Sequence, residues 1–148
     1  MTNKKILKGT YCVLAYLNSD ALISIGKLGE IDFPPGYYVY VGSALNSLLA
    51  RIKRHLSSDK KLYWHIDYFL GHGDVEVVDV IYAVDDARWE CELAREISEN
   101  SVGIDNFGCS DCKCPSHLFY FEKRDEMEGC CLSSFRKLDL VPERFHSL

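Results

Sequence analysis

Hydrophobic positions change period along the chain, and each change marks an element. From Gly9 to Leu17, β-branched and aromatic residues (Thr10, Tyr11, Val13, Tyr16) predict a strand. Leu22 to Ile25 and Gly29 to Phe33 predict a hairpin turning near Lys27-Leu28, ahead of the Pro34-Pro35-Gly36 turn. Tyr37 to Val41 predicts a further strand ending at Gly42, where a turn or a close backbone approach is expected. At Ser47 the period lengthens. Leu48, Leu49, Ile52 and Leu56 fall three and four apart and predict a helix over 47–56, with Arg51, Arg54 and His55 off the apolar stripe, facing solvent or substrate. A short helix is expected over 62–70, a β-branched strand over 75–84, and a third helix over 87–99 with Asp85-Asp86 near its start. A loop rich in Gly, Cys and Ser runs to Ser116, followed by a strand over 118–121. The tail from Glu122 is charged, with a short helix expected near Leu132 to Leu138.

The length, 148 residues, suits one domain. Residues 1–122 are expected to form it, with 123–148 as a C-terminal tail. No apolar run approaches the ~20 residues that span a bilayer, and Met1 to Lys8 lacks a long apolar segment, so neither a membrane nor a secretory signal is expected. The expected location is the cytoplasm. Seven cysteines, an odd count, point away from a disulfide framework and towards metal, redox or buried thiols. The net charge of −5 disfavours a polyanion partner until it is divided. Residues 1–61 carry nine lysines and arginines against four acids, whereas 62–148 carry eight against eighteen. The basic half holds Tyr11, Tyr40 and Arg51, and a local patch matters more than net charge in meeting nucleic acid.

Gly9-Thr10-Tyr11 and Tyr40-Val41-Gly42, with Arg51 on the following helix, resemble the two halves of the GIY-YIG nuclease signature. The segments Pro35 to Ala44, Trp64-His65-Ile66-Asp67-Tyr68, Glu90-Cys91-Glu92-Leu93-Ala94 and Phe107 to Leu118 further resemble the archaeal Uri-type subfamily. Four such words in order over residues 9–121 are a stronger signal than either half-signature. The resemblance implies an α/β fold, a small central three-stranded sheet flanked by helices. It implies metal-dependent hydrolysis of a nucleic-acid phosphodiester, most naturally in DNA. In that scheme Tyr40, with Tyr11 beside it, activates water, Arg51 contacts the phosphate, and a Mg²⁺ or Mn²⁺ ion sits on Glu90. Twenty-eight residues separate Tyr11 from Tyr40, more than the superfamily's short hairpin, so the 22–33 segment is expected to be an inserted hairpin. Asn100 and Asn106 are the nearest counterparts of the superfamily's late asparagine.

The residues themselves support this chemistry. A phenol with a pKa near ~10 is a poor base at neutral pH unless a cation shifts it, and a guanidinium offers a planar donor fork to a phosphate. Glu90 lies three, four and seven residues before Leu93, Ala94 and Ile97, so it shares the helix's apolar face, whereas Glu92, Glu96 and Glu99 form a polar stripe. An inward carboxylate needs a partner or a metal. His55 and His65 are candidate proton carriers, and Arg51, Lys53 and Arg54 candidate nucleic-acid contacts. Each has a plainer alternative, as a core aromatic, a structural histidine or a solvated helix cation.

Cys109-x-x-Cys112-x-Cys114-x-x-His117 places four zinc-type ligands within nine residues. In the Uri-type pattern the Cys109 position is often a small residue that cannot ligate. Cys91 completes a set with Cys112, Cys114 and His117 if the third helix packs beside the loop. Buried thiols or a redox pair are the alternatives. Two rival functions follow, a non-catalytic nucleic-acid-binding module and a zinc-binding or thiol-redox adaptor. With so few basic residues, a protein partner supplying specificity fits either nucleic-acid reading.

Overall fold

A computed structural model describes residues 7–108 and 112–145. Its elements run β1 (Gly9–Leu17), β2 (Ala21–Ser24), a 3-10 turn (Gly26–Leu28), β3 (Glu30–Phe33), β4 (Gly36–Ala44), α1 (Leu48–Leu56), α2 (His65–Leu70), β5 (Val75–Val84), α3 (Glu90–Ser98), β6 (Val102–Gly103), β7 (Leu118–Phe121), α4 (Arg124–Lys137) and β8 (Glu143–Arg144). Six strands form one sheet in the order β6-β7-β4-β1-β5-β8, with every pairing antiparallel. β2 and β3 pair separately, as the expected hairpin. The sheet is thus twice as wide as the expected three strands. The long strands β4, β1 and β5 are its middle, β7 extends it on one side, and the two-residue strands β6 and β8, too short for any sequence rhythm, close its edges.

Alternation along β1 sorts the core. Tyr11, Val13, Ala15 and Leu17 face one layer with Tyr38, Tyr40, Leu48, Ile52, Phe69 and Phe107. Cys12 and Leu14 face the other, with Val39, Val41 and Ile81 of the sheet, Leu93, Ala94 and Ile97 of α3, and Met127, Cys131 and Phe135 of α4. α1, α2 and the hairpin therefore cover one face, and α3 and α4 the other. An antiparallel sheet covered on both sides shows apolar residues at consecutive positions, as β1 and β4 do.

Several boundaries differ from the sequence expectation, each for a physical reason. β4 does not end at Gly42. Its pairing with β1 continues through Gly42↔Tyr11 and Ser43↔Thr10 to Ala44↔Gly9. α1 buries Leu48, Ile52 and His55, so the stripe turns towards His55 and leaves Leu56 42% exposed. α2 starts three residues late because the buried Asp67 carboxylate accepts the backbone N–H groups of Tyr63 (3.0 Å) and Trp64 (2.8 Å) and holds them outside the helix. α3 also starts three residues late. Asp85 Oδ1 accepts from the Ala87 N–H (2.8 Å) and the Trp89 indole (3.1 Å), fixing a turn before the helix. The short helix expected at 132–138 is a 14-residue helix whose Met127, Cys131 and Phe135 recur every fourth residue on the buried side. Among the described residues, no helix is long and apolar enough to cross a membrane.

Candidate functional site

The β4 strand pairs Gly42 directly with Tyr11, and Tyr40 with Val13, so the two phenols lie diagonally on one face. Gly42 is what lets them share it. A Cβ there would lie 2.5 Å from the Tyr11 hydroxyl and 2.6 Å from its Cζ. Gly42 of one segment thus makes room for Tyr11 of the other. Tyr11 is 1% exposed, and its hydroxyl lies 2.7 Å from His55 Nε2. Tyr40 stands edge-on to His55 (5.9 Å between ring centres) and to Phe107. Gly108, at φ +73°, brings the Cys-rich loop against Tyr40, where a Cβ would meet both that ring and His117 at 3.2 Å.

Burial sets the electrostatics. It raises the Tyr11 phenol well above its ordinary value, with Arg51 acting against the rise, and it raises Tyr40 likewise, assisted by the neighbouring Tyr11 and Glu90. Burial, reinforced by Lys60, pushes His55 down to about 3, so its imidazole is neutral at physiological pH. Arg51 donates to the Ser43 carbonyl (3.1 Å), and its guanidinium carbon lies 4.6 Å from the centre of the Trp64 ring. Glu90, at the start of α3, reaches across the end of β4. Its Oε1 accepts from Ser43 Oγ at 2.7 Å, with Arg88 Nε 3.8 Å away, and its Oε2 is 3.5 Å from His117 Nδ1.

These groups open on one cleft of about 1010 Å³. Tyr11, Tyr40, Arg51, His65, Glu90, Cys91, Cys112 and His117, all marked out by the sequence, line it, together with Lys27 and Arg88. Among the described residues, its charged lining is three cations and one carboxylate. His65 Nδ1 accepts the Gly108 N–H at 2.9 Å, so its ring latches the Cys-rich loop, and burial lowers its proton affinity.

Other expected residues fall elsewhere. Lys53 is exposed and outside the cleft lining. Arg54, expected as a nucleic-acid contact, is bound instead to the fully buried Asp67 through two hydrogen bonds (2.8 and 2.9 Å), and it also donates to the Lys61 carbonyl and stacks on Trp64 at 4.2 Å. His55, expected towards solvent or substrate, is 2% exposed under the phenols. Asn100 and Asn106 are exposed and outside the lining. Ser43, Trp64 and Asp67 lay inside the motif words, but only their long-range partners reveal their roles. Arg88 carried no sequence signal.

Behind Glu90, α3 packs beside the Cys-rich loop, and the ligand atoms of Cys91, Cys112, Cys114 and His117 all lie within 4.8 Å of one another. This cluster can hold a metal ion. Burial raises the Cys91 thiol, and the thiols of Cys114 and Cys112 add to the rise. Cys109 lies outside the described residues.

No curated protein and no solved structure matches the chain. The profile of the family described as "Domain of unknown function DUF123" matches residues 10–140, and the chain belongs to that family.

Proposed function

We propose that the chain is a metal-dependent endonuclease hydrolysing phosphodiester bonds, with DNA as its natural substrate, as the GIY-YIG resemblance implies. One observation carries this reading. Two phenols, a guanidinium and a carboxylate from β1, β4, α1 and α3 meet in a single cleft whose charged lining, among the described residues, is mostly cationic. Such a lining favours a polyanion.

The proton is handled by Tyr11 and His55. His55 Nδ1 is buried with no hydrogen-bond partner among the described residues. The tautomer with its proton on Nε2 leaves Nδ1 an unfilled acceptor rather than a stranded donor, and directs Nε2–H at the Tyr11 oxygen. Tyr11 gives its proton to bulk water through the cleft once a cation offsets the burial that holds it there. The phenolate, receiving Nε2–H and the Arg51 charge, then takes a proton from the water that attacks phosphorus. Among the described residues Tyr40 has rings rather than a proton partner beside it, so Tyr11 is better equipped to activate water, and Tyr40 shapes the floor. Arg51, held by Ser43 and Trp64, presents donors to a nonbridging phosphate oxygen.

Glu90 fits a hard cation, because its carboxylate opens to the cleft and retains acceptor capacity beyond the Ser43 hydroxyl, so one carboxylate plus waters and phosphate oxygens would hold Mg²⁺ or Mn²⁺. That ion would neutralise charge developing on the phosphate and favour the ionised phenol.

The test is cleavage of labelled duplex, branched and single-stranded DNAs and RNAs with Mg²⁺ or Mn²⁺, wild type beside Glu90→Gln. Cutting by the wild type that the variant loses is expected. No cutting of any substrate by folded wild type would overturn the proposal. A second reading, a binding module without catalysis, is favoured by the burial that keeps both phenols protonated. It predicts salt-sensitive binding and no cleavage.

A further inference from the structure

The Cys/His cluster sits against the candidate centre without belonging to the phosphodiester chemistry. We propose that Cys91, Cys112, Cys114 and His117 bind one zinc ion in a closed tetrahedral site, and that Glu90 anchors the zinc-bound imidazole from its far side.

The geometry is close to that of a filled site. Zinc bound at ~2.3 Å to sulfur and ~2.0 Å to nitrogen separates two thiolates by about 3.8 Å, and a thiolate from an imidazole nitrogen by about 3.5 Å. Here Cys112 Sγ lies 3.4 Å from His117 Nε2, and no two of the four ligand atoms are more than 4.8 Å apart. A contraction of about an ångström closes the tetrahedron. The ligands come from two elements distant in sequence, Cys91 on α3 and the others in the loop before β7. A metal there ties a segment with little regular structure to a helix, as structural zinc does. Three thiolates and an imidazole are a soft to borderline set that suits zinc and not magnesium. Filling all four positions leaves none open for a substrate, so this zinc is structural, and binding it releases the three thiol protons.

His117 supplies the independent observation. It is 1% exposed, and its backbone is fixed on both sides, donating to the Phe107 carbonyl and accepting from the Val41 N–H, each at 2.9 Å. Nε2 points into the cluster, while Nδ1 is buried with no hydrogen-bond partner among the described residues, 3.5 Å from Glu90 Oε2. A metal on Nε2 makes Nδ1 the protonated nitrogen, a donor facing that carboxylate. Carboxylate, histidine and zinc in series is the usual way a protein orients such a ligand. Zinc occupancy therefore sets the pose of Glu90, the residue that reaches into the cleft. The zinc site stands whether or not the cleft cuts nucleic acid.

The test reads metal and not cleavage. Elemental analysis of the full chain, purified without chelator, is expected to give one zinc per chain. Refilling the stripped protein with Co²⁺ is expected to give a thiolate charge-transfer band and the visible absorption of tetrahedral cobalt. Glu90→Gln is expected to keep the stoichiometry at saturating zinc but to bind about 10–100-fold more weakly against a chelating dye. Cys91→Ser is expected to lose stoichiometric zinc. Absence of zinc together with a featureless cobalt spectrum would overturn the site. Stoichiometric zinc retained in Cys91→Ser would overturn the ligand assignment, and unchanged affinity in Glu90→Gln would overturn the anchor. If Cys91→Ser does not fold, the cobalt spectrum and Glu90→Gln still decide.

Discussion

Replacing Gly42 with alanine tests how the Gly9–Tyr11 and Tyr40–Gly42 segments interlock. The added Cβ would sit 2.5 Å from the Tyr11 hydroxyl, 2.6 Å from Cζ and 3.0 Å from Cε1. Carbon atoms pack at about 3.5 Å or more, so the overlap approaches an ångström at two atoms. The ring cannot swing out of the way, because it is 1% exposed and hydrogen-bonded to His55. Overpacking of this kind costs about 1–3 kcal/mol, and a displaced hydroxyl that strands buried His55 Nε2 adds about 1–3 kcal/mol. A total loss of about 3 kcal/mol, a fall in Tm of about 6–12 °C for a chain of this size, is expected in denaturant or thermal unfolding. A double-mutant cycle isolates the cause. In a Tyr11→Leu background the clashing atoms are gone, so Gly42→Ala is expected to cost less than about 0.5 kcal/mol. A Gly42→Ala protein as stable as wild type would refute the reasoning, as would an equal loss in both backgrounds.

Protonation of His55 gives a pH signature. Its folded pKa is about 3 against about 6.5 unfolded, so between those values the unfolded state binds the extra proton. Stability is then full above about pH 6.5 and falls with acid by up to about 1.4 kcal/mol per pH unit. Urea midpoints measured from pH 7 to 4 are expected to show this slope, and His55→Gln to flatten it. Asp67 acts in the same direction at lower pH. Although burial alone would raise its carboxyl, the Arg54 hydrogen bonds and the backbone N–H groups of Trp64 and Tyr63 hold it below the ordinary value, so its contribution is lost as pH falls through that depressed pKa. Arg54→Ala strands that carboxylate at zero exposure. Because Arg54 itself is partly exposed, a loss near the lower end of the buried-pair range, about 3 kcal/mol, is expected in chemical unfolding. An Arg54→Ala protein of wild-type stability would instead place Asp67 in contact with water.

Much of this arrangement was legible in the sequence, and what was hidden shares one character. Strand periodicity marked β1, β4 and β5, and helical spacing placed Glu90 on the inward side of α3, whereas Cys91 joined the ligand set only on the condition that this helix packs beside the loop. Those signals are local. Asp67 and Ser43 looked ordinary because their significance lies in partners, Arg54 and Glu90, brought to them by the fold. His55 lay off the sequence stripe because a histidine was not counted as apolar, yet it is the residue that fills the space under Tyr11. α4 was obscured by charges on its outer side that form pairs such as Arg124 with Glu128, while its every-fourth-residue core contacts are sparse. The sheet's width escaped because two-residue strands carry no period of their own.

Tyr11, set between His55 and Arg51, is the group proposed to activate the attacking water. Single-turnover cleavage of a labelled DNA by wild type beside Tyr11→Phe, with binding and folding measured in parallel, tests it most directly. Unchanged salt-dependent binding and a rate reduced about 10²–10⁴-fold are expected. A folded Tyr11→Phe protein cutting at the wild-type rate would contradict it.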